Sequence, residues 1–151
     1  MANAFWLVKS EPYKYPYAQL EKDGRTVWDG VRNYEARNNI KAMSEGDLVL
    51  FYHSNEGKEV VGVARVVRGP YPDPTAPPDE DWAAVDMEPV CRLRTPVSLG
   101  AMKAEPRLQS MALLRRARLS VLPVTRKEFL QVLKMGHTEL PEVMQTAPPT
   151  P

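Results

Sequence analysis

Residues 28 to 33, Trp-Asp-Gly-Val-Arg-Asn within the stretch TVWDGVRNYEARN, set unlike chemistries side by side. Trp28 offers a large flat ring, while Asp29 and Asn33 offer hydrogen-bonding edges. Gly30 lets main chain approach a ligand closely. Two other stretches pair aromatic with polar groups: FWLVKSEP carries Trp6 and Ser10, and LVLFYHS ends in Tyr52, His53 and Ser54. Taken singly, such tryptophans read as core, because tryptophan is usually highly buried. Their company suits a flat heteroaromatic ligand that needs a ring to stack on and a few groups at its edge. Stacking a base on an aromatic side chain is worth about 1–3 kcal/mol. Unstacking it costs a few kcal/mol, so one ring nearly offsets extrusion and a second tips the balance. Trp6, Trp28 and Tyr52 are the candidate rings. Ser10, Asp29, Asn33, Ser54 and the backbone of Asp29, Gly30 and Val31 are the candidate edge contacts.

Arg32 has two readings, a brace for Asp29 three positions away or a phosphate contact, and bracing is favoured. Lys9, Arg116 and Arg118 are the further candidates for phosphate contacts. The net charge of +1 argues against binding nucleic acid by bulk electrostatics alone. Its distribution is uneven: six acids and no base lie between Asp73 and Glu88, against seven bases and one acid between Arg92 and Arg118.

Other chemistries find little support. Two histidines and one cysteine make no spaced metal-ligand set, and no glycine-rich phosphate loop is present. His53 and Ser54 are adjacent on a strand and face opposite sides, an awkward nucleophile and base. The alternative to a binding module is an enzyme acting on modified nucleic acid or a nucleotide, with His53 or Asp29 as base. No cofactor is called for.

The length of 151 residues fits one domain, and 43% hydrophobic with 26% charged residues is ordinary for a globular chain. The single Cys91 fits a reducing compartment. Neither a signal peptide nor a membrane span is legible, so a cytoplasmic protein without membrane contact is expected.

Strands are expected at 4–8, 48–54, 60–67, 82–97 and 116–124, the fourth interrupted by Pro89 and ended by Pro96. Gly62 marks a bulge or a close backbone approach. Short helices are expected at 15–24, after an Asn33 cap, and after a Thr125–Glu128 capping box, with a short helix or turn at 98–105. The prolines from Pro70 to Pro78 argue for a long surface loop. These elements make a mixed α/β (α+β) domain, most simply a curved or barrel-like sheet with helices outside. The chain after Gly136 reads as frayed, with a disordered tail.

FWLVKSEP, WDGVRNYEARN, GDLVLFYHS, PYPDPT, WAAVDM and RLSVLPVT follow one another from about Phe5 to Leu133. In that order they resemble the successive motifs of the EVE domain family. The resemblance implies a PUA-like fold, a small β-barrel with short peripheral helices, over residues 1–136, with 137–151 as tail. It implies a pocket for a modified base of DNA or RNA; the sequence leaves open whether a separate effector protein works beside it. The pocket motifs fall on Trp6 and Ser10, on Trp28 through Asn33 (including Gly30 and Val31), and on Tyr52, His53 and Ser54. They end on Arg118, Leu119 and Ser120.

Overall fold

The computed structural model describes residues 4–141. Its strands are β1 (Phe5–Ser10), β2 (Thr26–Trp28), β3 (Leu48–His53), β4 (Glu59–Pro72), β5 (Ala83–Ser98) and β6 (Val121–Val124). They form a single mixed sheet in the order β2-β5-β4-β3-β1-β6. The sheet is curved but not closed, because its edge strands β2 and β6 do not pair with each other. The expected mixed α/β architecture is therefore present, as an open sheet rather than a completed barrel.

Around the sheet lie α1 (Tyr17–Asp23), α2 (Tyr34–Lys41), α3 (Leu99–Ala104), α4 (Ala112–Arg115) and α5 (Arg126–Met135). Local chemistry accounts for their ends. Gly24 closes α1 at φ 75°, a conformation that suits a residue without a Cβ. The Asn33 side chain accepts the Ala36 amide at 2.9 Å and starts α2. Thr125 and Glu128 form the reciprocal capping box of α5. Ala36 and Ile40 turn the buried face of α2 inward, and Phe129, Val132 and Leu133 do so for α5.

β1 and β3 run parallel, with Lys9 opposite Tyr52 and Ser10 opposite His53. That pairing brings two motifs more than forty residues apart to one end of the sheet. Gly62 combines both expected features. The β4–β5 register shifts between Val60 and Gly62, and a Cβ there would lie 2.5 Å from the Tyr17 ring. Tyr17 is fully buried, and its hydroxyl donates to the Val63 and Cys91 carbonyls.

The boundaries depart from expectation in four places. β4 continues through Pro70 to Pro72, and β5 runs unbroken through Pro89 and Pro96. Register shifts at Val63/Ala64, Val60/Gly62 and Arg68/Tyr71 place Pro89, Pro96 and Pro70 at irregularities, where a missing N–H costs little, and Pro72 ends its strand. β6 covers only the last four residues of the stretch expected from 116, because the preceding residues turn tightly: the Leu119 amide donates to the Arg116 carbonyl. The short β2 was not expected. It pairs with β5 from Thr26 to Trp28, and the Arg25–Asp86 ion pair at 2.8 Å pins its start. Beyond Gly136, Thr138 accepts the Arg94 amide and Leu140 packs on the core. The rest of the expected tail, 142–151, lies outside the described residues.

Candidate functional site

At the end of the sheet where β1 and β3 finish, a cleft of about 800 Å³ opens. This volume falls within the range of pockets that hold small ligands. One wall is the segment from Trp28 to Arg32, and the opposite wall is α4 with the turn carrying Ala117, Arg118 and Ser120. Lys9, Ser10, Tyr52 and Ser54 come from the ends of β1 and β3, and Leu99 and Lys103 from α3.

Trp28 is half-buried at the end of β2. Edge-on contacts with Phe51, 5.6 Å between ring centres, and with Tyr15 at 6.2 Å set its plane. Tyr52 is 4% exposed, and its hydroxyl has no hydrogen-bond partner among the described residues. Burial pushes that phenol above its ordinary value, so it stays a neutral donor. Leu113, Leu114, Leu99 and Val31 supply apolar surface.

The Trp28 wall is held from below by Asp73. Its side chain is fully covered. The carboxylate accepts from the Gly30 amide at 2.8 Å, Arg32 Nη1 at 3.0 Å, and the amide and hydroxyl of Thr75 at 2.7 Å each. Burial opposes ionisation, but the Thr75, Arg32 and Gly30 bonds together outweigh it and hold the carboxyl at about 2. Gly30 reaches this arrangement at φ 74°, where a side chain would be strained. Arg32 does brace the loop, but against Asp73 and not against Asp29. Asp29 is left at the cleft, its carboxyl raised first by partial burial and then by the Asp73 charge, with Arg32 opposing. The motif PYPDPT was legible in the sequence, and its Asp-Pro-Thr is an Asx turn. Its partner across the fold was not.

The cleft thus gathers Ser10, Trp28, Asp29, Gly30, Val31, Tyr52, Ser54 and Ser120 from the expected set, with Lys9, Arg32 and Arg118. Three expected pocket residues lie elsewhere. Trp6 is buried, and its indole N–H donates to Asp47 at 2.9 Å. A strand rises about 3.3 Å per residue, so Trp6 sits roughly 13 Å before Ser10. His53 faces away from Tyr52, and its Nε2 accepts the Tyr17 amide at 3.1 Å. That bond, with desolvation and then Arg92 lowering its pKa, removes His53 as an available base. Asn33 spends its side-chain oxygen on the α2 cap and borders a separate cavity of about 250 Å³. Arg116 is also outside the cleft, paired with Glu35 through Nη1 at 2.7 Å.

Trp6→Phe is expected to lower stability by about 1–2 kcal/mol, since a buried carboxylate loses one donor and keeps those of Ala4 and Ser44. Ligand binding in the cleft should be unchanged, which denaturant melts and a binding titration on one preparation will check.

The rim cations are differently engaged. Lys9 Nζ donates to the Ala117 carbonyl at 2.7 Å, and desolvation lowers its pKa. Lys14 pairs with Glu11. Lys58, Lys103 and Arg118 are exposed and have no acidic partner among the described residues. Lys58 was missed in the sequence because it stands alone in a hairpin turn; Lys103 was only one of a basic run. No cluster able to hold a metal ion is present among the described residues.

Comparison with known proteins places this geometry in a lineage. The EVE domain family model matches residues 4–135. Mouse thymocyte nuclear protein 1 is 33% identical, over 89% of this chain and 74% of its own length. The crystal structure of an Agrobacterium tumefaciens protein is 46% identical at a TM-score of 0.88, covering 93% of this chain and 100% of that one. Human thymocyte nuclear protein 1, crystallised with DNA containing 5-methylcytosine, is 32% identical at a TM-score of 0.83, covering 90% and 99%.

The mouse and human relatives overturn the expected cytoplasmic placement, since both are named as nuclear proteins. The single cysteine did not discriminate, because nucleus and cytosol are both reducing. By its motifs, its fold and its relatives, this chain belongs to the EVE domain family.

Proposed function

We propose that the protein is a non-catalytic reader of modified DNA, which takes one base, out of its stack, into the cleft beside Trp28. The observation that carries this reading is the cleft itself. A fixed tryptophan, an unpartnered tyrosine hydroxyl and an apolar wall meet below three uncompensated cations. Stacking on Trp28 returns about 1–3 kcal/mol of the few spent on unstacking. Asp29, Tyr52 and the Ser10, Ser54 and Ser120 groups supply the edge contacts, while Lys58, Lys103 and Arg118 meet the flanking phosphates. The human relative's complex with 5-methylcytosine DNA supports the ligand class. On this reading any chemistry on the marked strand is done by a separate effector protein.

The magnitude of discrimination follows from the ligand. One extra methyl buried against Leu113, Leu114 or Leu99 is worth about 0.8 kcal/mol, roughly a fourfold preference. Three phosphate contacts give a log–log salt slope of about −2 to −3. Titrating matched oligonucleotides with cytosine or 5-methylcytosine, as DNA and as RNA, tests both numbers. Equal affinity for modified and unmodified strands would remove the reader function. Tighter binding of the RNA forms would reassign the strand.

A further inference from the structure

We propose that Tyr34 is a second stacking site, which takes a nucleobase face exposed when the base held in the cleft leaves its stack. This rests on the base-reading function above and extends it beyond the cleft. Tyr34 opens α2 directly after Asn33, and it is 68% exposed. Its ring stacks on Trp82, with centres 5.2 Å apart and planes within 10°. The Arg32 guanidinium lies 5.4 Å from the Trp82 ring centre, and Arg32 also lines the cleft. Arg32, Trp82 and Tyr34 therefore make a run of planar groups from the cleft mouth to open surface.

The run is braced before any ligand arrives. Trp82 Nε1 donates to Glu80 at 2.8 Å. Arg37 lies 5.1 Å from the Tyr34 ring centre and 5.8 Å from that of Trp82, and its guanidinium donates to the Asp81 carbonyl. Such preorganisation removes much of the ordering cost of binding. Tyr34 differs here from Tyr13, the other highly exposed tyrosine, whose hydroxyl is bonded to Glu11. The Tyr34 hydroxyl has no hydrogen-bond partner among the described residues.

The ligand class follows from the cleft. Extruding one base exposes an aromatic face on its neighbours and leaves an orphan base opposite. A fixed ring beside the mouth can cover either face, and aromatic stacking is tolerant of base identity.

The test is a protein–DNA cycle on the full chain. Tyr34→Ala and Tyr34→Phe are titrated with a 5-methylcytosine duplex. The same duplex is then used with an abasic site 5′, 3′ or opposite to the modified base. Tyr34→Ala should weaken binding of the intact duplex about fivefold or more, and Tyr34→Phe should bind as the unaltered chain does. In one abasic duplex the alanine effect should vanish, and the position of that site tells a strand neighbour from the orphan base. Tyr34→Leu covers Trp82 without a π face and gives the same comparison if alanine lowers the melting temperature. An equal loss on all four duplexes, or no loss on any, overturns the second site. If the unaltered chain still prefers 5-methylcytosine in that case, the cleft reading stands and only the Tyr34 proposal falls. Failure of the unaltered chain to bind the duplex removes both.

Discussion

Trp28→Ala is expected to weaken binding of a 5-methylcytosine oligonucleotide by about five- to a hundredfold, the loss of one base–aromatic stack. Trp28 carries the largest expected effect because it is the only tryptophan that lines the cleft. Its plane is set by two edge contacts, so no reorganisation is spent when a base arrives. Trp28→Phe keeps a ring of smaller area and should fall between the two. The comparison separates stacking from folding: alanine also removes packing on Phe51 and Tyr15, and a melting curve reports that part. Affinity unchanged in a folded Trp28→Ala protein would place the base elsewhere.

Asp73→Asn is expected to cost about 2 kcal/mol of stability near neutral pH. Removing one partner of a covered ion pair costs roughly 3–5 kcal/mol in a deep interior. Here the Arg32 side chain is 39% exposed, so solvent screening lowers the figure. The pH dependence has a definite sign. The Asp73 carboxyl is held at about 2, below its ordinary value of 3.8. Its contribution is therefore complete above about pH 4 and is lost as pH falls through 2. Urea melts of both proteins from pH 7 down to 2 should show a gap that closes below pH 4. A gap that stayed constant with pH would show that the carboxylate charge is not what holds the loop. Because Asp73 also fixes Gly30 and Arg32, the variant should bind DNA more weakly even at pH 7.

Much of the fold was legible because the rules that shape it are local. The Asn33 cap and the Thr125–Glu128 box were readable from their spacing, and the β-branched runs of β3 and β4 from their composition. The glycine at 62 could be singled out within its strand, though not the Tyr17 ring that requires it. Proline misled the strand boundaries, since a bulge that tolerates it is set by the partner strand and not by the residue itself.

For the site, sequence and tertiary structure divide the work differently. The residue types for stacking and edge recognition, and the motif order that identifies the family, are properties of the sequence alone. Which of those residues share a cleft was decided only on folding. Parallel pairing of β1 with β3 sets Lys9 level with Tyr52 at the cleft, and alternation along β3 turns His53 to the other face, where it meets the Tyr17 amide. The same strand geometry carries Trp6 to Asp47 and out of the site. Asp73 reaches Arg32 across more than forty residues, a pairing that no spacing rule encodes because loop-to-loop contacts depend on where the whole sheet puts each turn.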